Sequence, residues 1–188
     1  MDHIPTDADL LKQFSRGNTE ALGALAERYE SSLLGVARGL LGGGAKEDLA
    51  REAVQECWMR VIRHAGRFRG DSQVRTWIYR ILVNRCLEKR AAEGRASRTA
   101  ASAFTHASVE PLHDPEKVAS SEELSDQVSH AVEMLPEPMR VVLILCYHRG
   151  LTHSQSAAVL DIPLGTLKTR LHNALARLRE SLTLEKAT

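Results

Sequence analysis

The sequence predicts an all-α protein built from two small helical domains joined by a flexible linker. Three observations lead there. Apolar residues recur at helical spacing almost throughout, and no stretch alternates convincingly over strand lengths. The periodicity stops between residue 91 and about residue 119, a stretch rich in Ala, Ser, Thr and Gly that also holds Pro111 and Pro115. Such a composition has no core of its own and reads as linker. The length, 188 residues, fits one medium domain or two small ones. The expected boundaries are a first domain over 1–92, a linker over 93–122 and a second domain over 123–188.

Each element has a local cause. A short first helix carries Leu10, Leu11 and Phe14, and Gly17 with Asn18 closes it. A second begins near Thr19 and lines up Leu22, Leu25, Tyr29, Leu33, Val36 and Leu40. Gly42, Gly43 and Gly44 end it. A third, from about 46 to 67, spaces Leu49, Ala53, Cys57, Val61 and Ile62 helically. After a loop, a fourth helix from 73 to about 90 buries Trp77, Ile78, Ile81 and Leu82.

Beyond the linker, Leu124, Val128, Ala131, Val132 and Leu135 form a stripe broken at Pro136. Val142, Leu143, Leu145 and Cys146 mark the next helix, which Gly150 terminates. Thr152 and Gln155 then make a capping box for a short helix ending near Leu160. Asp161 suits a left-handed turn, and Pro163 suits the opening of a last helix. That helix turns Leu164, Leu167, Leu171, Ala174, Leu175 and Leu178 inward.

Composition excludes several classes. Hydrophobic residues make up 43% and charged residues 26%, as in ordinary globular proteins. No apolar run reaches a membrane span, and the start of the chain lacks the basic and apolar regions of a signal peptide. A cytoplasmic location without direct membrane insertion is expected. Cys57, Cys86 and Cys146 are far apart and odd in number, so no disulfide framework is expected. Cys146, His148 and His153 read as a half-buried thiol beside two loop or cap histidines. No metal, cofactor or catalytic residue is expected, because no phosphate-binding loop, ligand set or nucleophile with a base stands out.

The net charge of +1 conceals blocks. Residues 1–56 hold ten acids and six bases, and residues 60–90 hold nine bases against Asp71 and Glu88. Residues 110–137 hold eight acids against Lys117, and residues 138–188 hold seven bases against three acids. Two basic blocks split by an acidic one suggest two surfaces for polyanions, although solvated helix faces would give the same count.

The last two helices supply sharper chemistry. A capped short helix, a tight turn and a basic second helix make a helix-turn-helix, whose second helix would enter the major groove. Its outer face shows Thr166, Lys168, Thr169, Arg170, His172, Asn173 and Arg177. Thr169, His172 and Asn173 share one side and could probe base edges together. Lys168, Arg170 and Arg177 flank them and suit phosphates.

The wider string LPEPMRVVLILCYHRGLTHSQSAAVLDIPLGTLKTRLHNALARLRESL resembles region 4 of sigma factors. Gln155 replaces the usual acid before the alanine pair, and Leu167 replaces valine. The string AVQECWMRVIRHAGRFRGDSQVRTWIYRILVNRCLEKR resembles region 2 of extracytoplasmic-function sigma factors. The family's V-Q-E, F-R-G-D/E-S and T-W-L-Y-R-I-A-x-N motifs match Val54 onward, Phe68 onward and Thr76 to Asn84. Glu52 and Ala53 stand where the family often has Asp-Leu. Together the two modules cover roughly residues 7–90 and 130–183.

The resemblance implies a sigma region 2 bundle followed by a sigma region 4 helix-turn-helix. It implies that Gln55, Glu56, Met59 and Arg60 dock on the clamp helices of the largest subunit of core RNA polymerase. Phe68, Arg69, Gly70, Asp71, Ser72 and Asn84 would form or border a pocket for a flipped-out base of the −10 element. Arg80 and Arg85, with Arg75, Lys89 and Arg90, would face phosphates of the melting duplex. The last helix would read the −35 element. Trp77 and Ile78 are expected in the core instead. Many relatives are held inactive by an anti-sigma factor, so such a partner is implied beside core polymerase and promoter DNA. The alternative is a helix-turn-helix regulator that binds DNA without polymerase. A protein that only sequesters a partner is a third reading.

Overall fold

The computed structural model describes residues 4–42, 46–103, 121–147 and 151–185, and among them there is no strand. Thr6 opens α1 (Asp7–Ser15) with a capping box. Its hydroxyl accepts from the Asp9 amide at 3.2 Å while Asp9 accepts from the Thr6 amide at 3.1 Å. Leu10 and Leu11 bury its inner face, and Asp7 is tied to Arg28 of α2 at 2.7 Å. Asn18 caps α2 (Thr19–Leu41). Gly42 ends it in the left-handed region at φ 89°, where glycine carries no Cβ penalty. Gly43 and Gly44 lie outside the described residues.

Helix α3 (Glu47–His64) runs into a 3₁₀ turn, Ala65–Arg67. The long α4 (Val74–Ala103) packs against both α2 and α3. Leu25, Leu33, Val36, Ala53, Cys57, Val61, Ile78, Tyr79 and Leu82 are buried among these helices. Burial pushes the Cys57 and Cys86 thiols up to about 12, so both serve the core as apolar groups. Ile62 is 42% exposed, because it lies one residue past the inward Val61. Trp77 and Ile81 are half-buried at the rim of the core.

The fourth helix differs from expectation in length. It continues to Ala103, so residues 93–103 of the expected linker are helical. Ala91, Ala92, Ala96, Ala100 and Ala101 explain this, since alanine is the best helix former even where there is no apolar stripe. Lys46, just before α3, pins the extension through Glu93 at 2.8 Å. Residues 104–120 of the linker lie outside the described residues.

In the second domain α5 (Ser121–Glu133), α6 (Glu137–Tyr147), α7 (His153–Leu160) and α8 (Leu164–Glu185) surround Leu135, Val142, Leu143, Ala157, Leu167, Leu171 and Ala174. Val128 and Leu164, expected inward, are 40% and 38% exposed. Leu164 is the first residue of α8, and the core contacts begin one turn later at Leu167. Arg140 is only 3% exposed. Its guanidinium donates to the carbonyls of Glu133 at 2.9 Å and Leu135 at 3.3 Å, closing the end of α5 with a cation.

The two domains dock on one another. Val141, Leu145, Leu151 and Val159 belong to the first domain's core. Burying a side chain such as Leu145 there contributes about 1.5–3 kcal/mol. Gly39 lets α6 approach α2 closely, since a Cβ there would lie 3.1 Å from Cγ2 of Ile144.

Candidate DNA and polymerase interfaces

The helix-turn-helix forms as its capping residues dictate. The Thr152 amide donates to Gln155 Oε1 at 2.8 Å, and the Gln155 amide donates to the Thr152 hydroxyl at 3.2 Å. Asp161 takes φ 55° and ψ 45°, and its amide closes on α7 carbonyls. This left-handed residue turns the chain sharply enough for α8 to pack across α7. Lys168, Thr169, His172, Asn173 and Arg177 are exposed on α8, while Thr166 and Arg170 are half-buried. The Thr169 hydroxyl donates to the Gly165 carbonyl at 3.0 Å, which leaves its lone pairs for a base or phosphate. Cys146 is half-buried and His153 is exposed at the first position of α7, while His148 lies outside the described residues. Among the described residues no three potential ligands form a metal site.

The second surface lies on α4 and the loop before it. Gly70 turns that loop at φ 80°, and Arg69, Gly70, Asp71 and Ser72 are exposed. Phe68 is half-buried against Trp77, with ring centroids 5.2 Å apart. Asn84 is exposed seven residues beyond Trp77, on the same face and about 10 Å along the axis. An aromatic pair at one end and an amide at the other would suit a stacked base whose edge is read.

The α4 cations are less available than the sequence suggests. Arg85 pairs with Glu88 and with Glu56 at 3.4 Å, and Lys89 pairs with Glu56 at 2.8 Å and Glu52 at 3.0 Å. Lys89 holds the Glu56 carboxyl below the usual range, against the opposing effect of burial. Arg90 donates to the Leu40 carbonyl at 2.9 Å, and Arg75 lies over the Tyr79 ring. Arg80 donates to the Ala158 carbonyl of the second domain. Each expected phosphate contact on α4 thus has a partner inside the chain. Arg60, Arg63, Arg67 and Arg69, by contrast, are exposed. Arg63 and Arg67 were the missed signal, since 60, 63 and 67 recur at helical spacing beside the loop.

The third surface is a groove of about 450 Å³ between α2 and α3, lined by Glu30, Leu34, Arg51, Val54, Gln55, Trp58 and Met59. Glu30 orients Trp58 by accepting from its indole N–H at 2.6 Å. Met59 is 44% exposed, and Gln55 and Arg60 are exposed. Glu56 is not part of this group. One residue round the helix from Gln55, it faces α4 and its cations.

Both halves of the chain match known families. Residues 25–96 match the family model for Sigma-70 region 2, and residues 125–178 match that for Sigma-70 region 4. The ECF RNA polymerase sigma-E factor of Escherichia coli strain K12 is 30% identical over 176 residues, covering 90% of each chain. The chain belongs to the extracytoplasmic-function sigma factor family. The RNA polymerase sigma-H factor of Pseudomonas aeruginosa is 29% identical to this sigma factor over 184 residues, covering 94% of this chain and 93% of that one. The fold is also that of CnrH, solved in complex with the cytosolic domain of CnrY. There the TM-score is 0.70 at 21% identity, covering 96% and 99% of the two chains. The sigma factor RpoE of Bartonella quintana, solved with the anti-sigma factor NepR, gives a TM-score of 0.61 at 24% identity. That match covers 92% of this chain and 98% of that chain. Among the described residues no helix is long and apolar enough to cross a membrane.

Proposed function

We propose that this sigma factor binds core RNA polymerase, directs it to promoters and helps to melt them, while the polymerase supplies all the chemistry. The observation that carries the reading is the order of the modules. A region 2 match over 25–96 precedes a region 4 match over 125–178, so a polymerase-facing bundle and a helix-turn-helix lie in one chain. A regulator that binds DNA alone has no need of the first.

In this reading Gln55, Met59 and Arg60 contact the polymerase clamp helices from the α2–α3 groove, and Glu56 sets the position of α3 against α4. Phe68, Arg69, Gly70, Asp71, Ser72 and Asn84 receive a base extruded from the −10 element. Extrusion costs a few kcal/mol of stacking, which an aromatic and an amide already in place offset. Arg80 reaches the same strand, whereas Arg85 acts indirectly through its pairing with Glu56. On α8, Thr169, His172 and Asn173 read −35 base edges, with Thr166 at their margin. Lys168, Arg170 and Arg177 neutralise phosphates.

The boundaries that fit are 1–92 and 123–188 for the two binding domains, with the helical extension of α4 entering the linker. The protein works in the cytoplasm beside polymerase, and an anti-sigma factor is its regulatory partner. Gel filtration with core polymerase tests the first step: co-elution is expected. Elution apart from polymerase together with tight duplex binding would favour the solitary regulator.

A further inference from the structure

Helices α3 and α4 run antiparallel, and their contacts fix which residues lie side by side. Glu52 and Glu56 meet Lys89, Cys57 Sγ donates to the Ile78 carbonyl at 3.6 Å, and Phe68 packs on Trp77. As the chain advances from 52 to 68, its partners on α4 recede from 89 to 77. Arg63 stands seven residues beyond Glu56, two turns along the same side of α3 and about 10 Å nearer the Trp77 end. Arg67 follows four residues later, closing the 3₁₀ turn directly before Phe68. Both arginines therefore flank the aromatic end of the α4 face that carries Trp77 and Asn84.

Charge changes sign of effect along this flank. At its Lys89 end the carboxylates of Glu52, Glu56 and Glu88 neutralise Arg85 and Lys89. At its Trp77 end the cations stand alone. From Cys57 to Gly70 there are four arginines and no acid, and Asp71 is the first carboxylate after them. Among the described residues no ion pair or side-chain hydrogen bond holds Arg63, Arg67 or Arg69, and all three are exposed. Free cations beside an aromatic pair suit a single strand, with phosphates on the cations and a base on the rings. Arg63 also complements the negative end of α3, a contribution of about 0.3–1 kcal/mol. Arg67 and Arg69 lie beyond the last turn of that helix and have no such use.

We infer that Arg63 and Arg67 hold phosphates of the melted −10 strand, so that the strand leaves the base site across the end of α3 and not along the C-terminal half of α4. The inference rests on the promoter reading, and it moves phosphate contacts away from Arg85, Lys89 and Arg90. Glu52, Glu56 and Glu88 bound the path on the other side, because a strand laid over them would meet charges of its own sign. The α2–α3 groove offered to polymerase is lined by neither arginine, so both surfaces can be occupied at once.

Two double variants of the full chain, each bound to core polymerase, test this. Arg63→Ala with Arg67→Ala removes both charges at exposed positions where alanine suits a helix. Arg63→Lys with Arg67→Lys keeps them. Binding of a single-stranded −10 oligonucleotide, taken from a promoter mapped with the wild-type protein, is followed by fluorescence anisotropy as salt is raised. Each phosphate contact on a single strand steepens the fall of log K with log salt by about 0.7, so the alanine pair should flatten the slope by about 1.4. Between about 50 and 200 mM salt, the wild type should therefore weaken about sevenfold more than the alanine pair. The lysine pair should keep the wild-type slope, which a packing role for the guanidinium would not allow. Co-elution with core polymerase should be unchanged in both. A wild-type slope in the alanine pair overturns the inference, and so does an equal flattening by lysine. Loss of polymerase binding also overturns it, by placing the two arginines on the polymerase interface. Failure of the promoter reading would show separately, as no promoter-specific transcript from wild-type protein with core polymerase.

Discussion

Lys168 gives the most direct test of how α8 meets DNA. It is exposed on the outward face of α8, so Lys168→Ala should leave the fold intact, and alanine suits a helix. Each phosphate neutralised steepens the fall of log K with log salt by about 0.9. Three contacts, from Lys168, Arg170 and Arg177, predict a slope of about −2.7, or roughly 40-fold weaker binding between about 50 and 200 mM salt. The variant should show a slope of about −1.8 and lose only about 12-fold over the same range. Fluorescence anisotropy of polymerase-bound protein on a −35 duplex measures both curves. Parallel curves would return Lys168 to the solvated face and leave only two phosphate contacts on α8.

Other residues make separate predictions. Asn84→Ala should slow open-complex formation, followed by permanganate reactivity of the melted bases, without changing affinity for polymerase; normal opening would remove Asn84 from the base site. Arg140→Ala should cost about 2–3 kcal/mol, because it strips two buried carbonyls of a charged donor. The offsetting factor is that burial already opposes the Arg140 charge. Denaturant unfolding measures the loss, and one below about 0.5 kcal/mol would mean that water replaces the guanidinium. Glu56 has a depressed pKa in the folded chain, so its stabilisation is complete above its unfolded value. That contribution is lost as pH falls through the folded one. Glu56→Gln should therefore flatten the acid limb of the stability curve by up to about 1 kcal/mol, the side chain being 37% exposed. An unchanged acid limb would detach Glu56 from the acid response.

The helices and the turn were legible because their signals are local. Thr152 and Gln155 sit at capping-box spacing, Asp161 tolerates the left-handed turn, and Leu167 and Leu171 fall on the inner stripe of α8. The exposed face of α8 follows from that same stripe. What stayed hidden depends on pairs distant in the chain. Glu56 and Lys89 are 33 residues apart and Arg80 and Ala158 are 78 apart, so no window on the sequence shows that these charges are taken. A count of bases over 60–90 therefore overstated the cations that α4 can offer. Arg140 counts among the seven bases of 138–188, yet it is buried where α5 ends and α6 begins. The extension of α4 was missed because alanine favours helix without making a stripe. The docking of the domains was missed because Val141, Leu145 and Val159 fit an inner face equally well whichever core receives them.

Transcription from a fragmented genomic template by core polymerase and this chain, with every start site mapped, tests the central claim most directly. The account predicts starts absent with core polymerase alone, each preceded by the same two motifs at −10 and −35 with fixed spacing. Starts that are unchanged by the chain, or that share no paired motif, would contradict it.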